Sequence, residues 1–118
     1  MMDNIRLIRK RTTEDGISYL IPVSDMEYLI FGTSTSGAIK LGVAQCEKPE
    51  LLKGELIPVD LGPYMDELRE TYGTFSRVHD KYGAGMPAFN DSEMNIAREV
   101  SELCARITSH PNMQMGHA

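Results

Sequence analysis

The sequence predicts an α+β fold, a mostly antiparallel four- or five-stranded sheet in the N-terminal half packed against two C-terminal helices. Three observations predict it. Up to residue 61 the apolar residues tend to alternate with polar ones, the period of two of a strand with one buried face. Short clusters of Gly, Asp, Ser and Pro separate these segments, as in consecutive hairpins. After Pro63 the apolar residues recur at three and four, the spacing of a helix. Strands first and helices later place the helices together on one face of an antiparallel sheet.

Ile5 to Thr13 and Ile17 to Val23 read as a β-hairpin joined at Glu14-Asp15-Gly16, because Gly supplies positive φ and Asp bonds its own backbone. Pro22 cannot donate to a ladder, so the second strand is an edge or ends there. Ser24-Asp25-Met26-Glu27 has the pattern of a capping box, which would start a helix. Tyr28-Leu29-Ile30-Phe31, an apolar run ended by Gly32, favours a buried strand over residues 24–32 instead. Ile39, Leu41 and Val43 alternate with Lys40 and Gly42 as a further strand. Pro49 to Lys53 has room for one helical turn stopped by Gly54, and Glu55 to Leu61 is a strand that Pro58 pushes toward an edge. Leu-Ile-Pro-Val occurs at 20–23 and again at 56–59, which reads as two similar edge strands.

Pro63 suits a helix start, and Met65, Leu68, Tyr72 and Phe75 form a helical face. Gly73 either ends this helix or interrupts it, since Val78, His79 and Tyr82 can continue the face. In the last helix Asn90 and Glu93 form a capping pair, and Phe89 can staple onto Met94. Ile96, Ala97, Val100, Leu103, Cys104 and Ile107 share one face, with Arg98, Glu99, Glu102 and Arg106 opposite. Pro111 ends it. The 118 residues form a single domain, 1–118, with residues 1–4 and 110–118 as flexible termini.

The net charge is −5, unevenly spread. Residues 1–11 hold Arg6, Arg9, Lys10 and Arg11 against Asp3, and the remainder holds sixteen acidic against eight basic groups. Such a body repels a phosphate backbone and attracts a basic partner. The charged start has no apolar stretch after it, so it is not a signal peptide, and no run is long enough to span a bilayer. Cys46 and Cys104 have no metal-ligand or CxxC spacing, and the expected location is a reducing cytoplasm.

Six features carry candidate chemistry. Asp60, Asp66, Glu67 and Glu70 make a negative patch that would receive a lysine- or arginine-rich protein surface; the plainer reading of any one of them is favourable charge at a helix N-terminus. Gly32-Thr33-Ser34-Thr35-Ser36-Gly37, with Lys40, would wrap an anion with backbone N–H groups. The GxxxxG spacing is the first part of a P-loop, but Ala38 stands where its lysine belongs, which favours a plain hairpin loop. His79 beside Asp80, with Tyr72, Arg77 and Tyr82 near, is a general-base candidate, although sequence neighbours do not share a helix face. His110, Met113, Met115 and His117 are soft ligands in a tail. Neither cysteine has the cationic surroundings of a nucleophile.

The sixth is a resemblance. Ile5-Arg-Leu-Ile-Arg-Lys-Arg11 resembles the first helix of a phage-repressor-type helix-turn-helix, and Ala38-Ile-Lys-Leu-Gly-Val-Ala-Gln45 resembles its turn. It implies a DNA-binding regulator and covers these two fragments only. A β-rich stretch lies between them, and Pro49 falls where the recognition helix should run.

With no catalytic constellation, metal set or cofactor motif, the expected function is a small acidic, non-enzymatic protein-binding module that engages a basic partner. In composition it is similar to inhibitors, adaptors and immunity-type proteins encoded by phages and mobile elements. The alternatives are a small nucleotide- or phosphoester-handling enzyme built on the 32–40 loop with His79 as acid/base, and the DNA-binding regulator.

Overall fold

In a computed structural model, residues 5–48, 52–82 and 90–109 are described, apart from the side chains of residues 79–82. The strands are β1 (Ile5–Thr13), β2 (Gly16–Pro22), β3 (Glu27–Ser34), β4 (Ile39–Gln45) and β5 (Glu55–Asp60). A 3-10 turn (Gly62–Tyr64) leads into α1 (Met65–Tyr82), and α2 (Asp91–Thr108) follows. The five strands form one antiparallel sheet in the order β4-β3-β2-β1-β5. The α+β reading holds, with the larger of the two strand counts.

β1 to β4 is a meander, and the chain then crosses to the opposite edge so that β5 pairs with β1. The first turn needs Gly16. Its φ is +150°, and a Cβ there would meet the Thr33 carbonyl oxygen at 2.1 Å. The Ser24–Glu27 pattern is not a helix start. Ser24 Oγ donates to Glu27 Oε1 at 2.9 Å and Val23 N–H to the Glu27 carbonyl at 2.8 Å, so the same residue types close the β2–β3 turn. One expectation needs correcting: of the two Leu-Ile-Pro-Val segments only β5 is an edge, and β2 is the central strand. Pro22 is tolerated there because it ends β2, two residues past the last β1 partner at Leu20.

Period two fixes which residues share a face. Ile8, Ile21, Leu29, Phe31, Ile57 and Val59 point toward the helices and are buried. From α1, Leu68, Tyr72, Phe75 and Val78 meet them, and α2 adds Ala97, Val100, Leu103, Cys104 and Ile107. α1 continues through Gly73 to Tyr82. Asn90 Oδ1 accepts from Glu93 N–H at 2.9 Å, and Glu93 Oε1 accepts from Asn90 N–H at 3.0 Å, completing the capping box. The proposed turn at 49–53 and the Phe89 staple rest on residues outside those described.

Candidate functional site

α1 and α2 run antiparallel, because Glu67 in the first turn of α1 meets Arg106 in the last turn of α2, Nη2 to Oε2 at 2.7 Å. Between them lies a shallow groove of about 160 Å³ lined by Glu67, Glu70, Thr71, Thr74, Ile96 and Glu99. Three carboxylates therefore border one depression, with one ion pair at its end. About half of each side chain in that pair is exposed, so it orients Glu67 more than it stabilises the fold.

The four acidic residues singled out in the sequence do not form one cluster. Glu67 and Glu70 line the groove, and Asp66 is exposed in the first turn of α1. Asp60 ends β5, where its Oδ1 accepts from Gly62 N–H at 2.9 Å and holds the turn into the 3-10 segment. Glu99 takes the third place. The sequence shows it on the polar face of its helix, but only the pairing of α1 with α2 shows that this face adjoins Glu70.

The Gly32–Lys40 segment is a β-hairpin end. Gly32, Thr33 and Ser34 belong to β3, Lys40 belongs to β4, and Gly32 pairs with Lys40. Ser34 N–H donates to Ala38 O at 2.8 Å, Gly37 N–H to Ser34 O at 2.9 Å and Thr35 N–H to Asp15 O at 2.9 Å. Ser34 Oγ lies 2.8 Å from Ser36 Oγ and accepts from Ala38 N–H at 3.0 Å. The turn thus uses most of the donors that would have faced an anion, and a strand follows where a helix N-terminus would be needed. The two fragments that resemble a helix-turn-helix are strands as well, β1 and β4, since their alternating apolar residues fit a pleated sheet.

His79 and Asp80 lie in α1 with side chains outside those described; Tyr72 is buried in the core and Arg77 is exposed. Among the described residues no three His, Cys, Asp or Glu side chains converge as a metal set, and the His110–His117 tail lies outside them. Cys104 is fully buried, and desolvation pushes its thiol up to about 12. Cys46 is half-buried beside the β2–β3 turn, its N–H donating to Met26 O at 2.9 Å. No helix among the described residues is long and apolar enough to cross a membrane.

The sheet face turned away from the helices is the second surface of note. One row across it reads Leu56, Arg9, Leu20, Ile30, Gly42. The next reads Pro58 and Leu7 on β5 and β1, then Pro22, Tyr28 and Ala44 on β2 to β4. Arg9 is the one charged side chain in these two rows, and its Nη1 donates to the Leu52 carbonyl at 2.7 Å. Where β1 and β2 separate beyond Arg9 and Leu20, a cleft of about 670 Å³ opens between Leu7 and Tyr28, reaching Met65 and Arg69 of α1. Ile5 and Leu7 are each 52% exposed and Leu56 47%, where an antiparallel sheet facing water would carry polar residues.

No family model matches the chain, and no curated protein or solved structure is significantly similar to it.

Proposed function

We propose that this protein is a non-enzymatic protein-binding module that takes a basic partner surface into the acidic groove between its two helices. The supporting observation is the convergence of Glu67, Glu70 and Glu99 on one groove of the helix layer. The chain's net charge of −5 acts in the same direction, raising the encounter rate with a cationic partner. A groove bordered by carboxylates and floored by Ile96 and the threonines offers charge for lysine or arginine heads and apolar surface for their stems. A role as inhibitor, immunity-type protein or adaptor in the cytoplasm fits such a surface.

The test is capture from nuclease-treated lysate of the source cells at moderate and high salt, read by mass spectrometry. The full chain is compared with a Glu70→Lys, Glu99→Lys variant. The expected result is one stoichiometric protein partner with a basic surface, released by salt and captured at least tenfold less by the variant. Equal capture by both baits removes the groove from the function.

A further inference from the structure

We infer that the cleft between β1 and the β2–β3 turn is a binding site for a small amphipathic anion, a carboxylate head on an acyl or aryl body. The cleft shares no lining residue with the acidic groove and does not depend on that groove's role.

The sequence builds the cleft. In the register that sets Arg9 against Leu20, Leu7 stands opposite Pro22. Pro22 has no N–H to give the Leu7 carbonyl, so the β1–β2 ladder ends at Arg9. Beyond that point β1 stays paired with β5 as far as Ile5↔Asp60, while the chain after Pro22 turns toward β3 through Val23 N–H to Glu27 O. The space between is about 670 Å³, within the roughly 300–1,000 Å³ of pockets that hold small ligands.

Its lining is two-sided. Ile8 is buried toward the helices, so Arg6 shares that side of β1, and Leu7 and Arg9 share the other. On α1, Met65 and Arg69 are four residues apart on one side of the helix, and both line the cleft. The helix-side end therefore holds two guanidinium groups, Arg6 and Arg69, beside the buried Met65. The opposite end is apolar, with Leu7 and Leu56 about half exposed next to Pro22.

Charge selects the sign of the ligand. The chain carries −5, yet the cleft has Arg6, Arg9 and Arg69 against Asp25. Arg9 reaches the Leu52 carbonyl, and Arg6 Nη1 donates to the Ile5 carbonyl at 3.1 Å. Arg69 is exposed and makes no hydrogen bond or ion pair among the described residues, so its planar fork is placed to take a carboxylate. The surplus of acid over the rest of the chain disfavours a multiply charged ligand and selects a monoanion. The apolar end selects its body, because covering Leu7 and Leu56 removes apolar surface from water.

Calorimetry and methyl NMR of the full chain with decanoate at pH 7 test this. The expected result is one site with a Kd of about 10–100 μM and shifts of the Leu7 and Leu56 methyl signals. Decanol and decylammonium, which keep the body and change the head, should bind at least tenfold more weakly. Arg69→Glu should weaken decanoate at least tenfold, whereas Arg98→Glu, the same charge change at an exposed site on α2, should leave it unchanged. No binding at about 1 mM decanoate overturns the inference. So does decylammonium bound as tightly as decanoate, equal affinity in the Arg69→Glu protein, or methyl shifts that spare Leu7 and Leu56. Glu70→Lys with Glu99→Lys, which should abolish partner capture by the groove, should not weaken decanoate binding.

Discussion

The two faces of the sheet are built from the same strands and differ in what covers them. On the helix side Ile8, Ile21 and Leu29 are fully buried under Leu68, Phe75 and Leu103. On the other side Leu7 and Leu56 sit one residue away from such core positions and remain about half exposed. Period two therefore sorts residues into two sets without ranking the sets. Apolar residues on both faces are the mark of a strand buried on both sides, as in parallel sheets. Here they occur in an antiparallel sheet of which the described helices cover one face. The polarity of the molecule is accordingly split, acidic on the helix layer and apolar on the opposite sheet face, where Arg11, Lys40 and Asp60 flank the apolar rows.

The largest effect should separate the faces most cleanly. Phe75→Ala removes a fully buried ring beneath the sheet and should cost about 3–5 kcal/mol in urea unfolding. Leu56→Ala on the opposite face, where the side chain is about half exposed, should cost under about 1 kcal/mol. Comparable losses at both positions would mean that the second face is covered within the chain itself, and would erase the distinction.

The cysteines give an intermediate test. Burial pushes the Cys104 thiol from its ordinary 9.0 to about 12, and burial also raises Tyr19 from 10.0. Both groups stay neutral in the fold at pH values where the unfolded chain ionises. The unfolded state then holds fewer protons, so the stability they contribute is intact below about pH 9 and declines as pH rises through the folded values. The urea midpoint should be level from pH 7 to 9 and fall above that. At pH 8 a thiol reagent should modify Cys46 and leave Cys104 untouched until denaturant is added. Prompt labelling of Cys104 in the native protein would show that the helix-covered side opens easily.

The smallest effect sharpens the picture of the helix layer. Gly73 lies inside α1, and a Cβ there meets nothing within 4 Å. Gly73→Ala should stabilise by about 0.5–1 kcal/mol through helix propensity, read as a higher melting temperature. Destabilisation would mean that the outer surface of α1 is closer to another part of the molecule than its geometry indicates.

Much of the fold was legible because its signals are local. The hairpin of Ile5–Thr13 with Ile17–Val23, the strand at Tyr28–Phe31 and the Asn90–Glu93 cap each depend on residues within a few positions of one another. The ambiguities came from sequence features that serve two structures. Ser24 and Glu27 have the spacing of a capping box, but their side chains bond each other and not each other's backbone N–H, and they close a hairpin turn. Pro22 marks the end of a strand as readily as an edge, and only the departure of β1 after Leu20 decides between them. The candidate groove was half legible. Glu67 and Glu70 were visible as neighbours on one helix, whereas Glu99 joins them across 29 residues of chain through helix packing.

The sequence by itself determined the elements, the two sets into which each strand's residues sort and the excess of acid over base, because period, turn chemistry and charge are properties of neighbouring residues. The tertiary structure alone decided that β5 crosses over to pair with β1, that Glu99 adjoins Glu70, and that Leu7, Leu20 and Leu56 are left on the face opposite the helices. Those outcomes depend on contacts between residues far apart in the chain. One strand's alternation fits either face equally well until the helices occupy one of them.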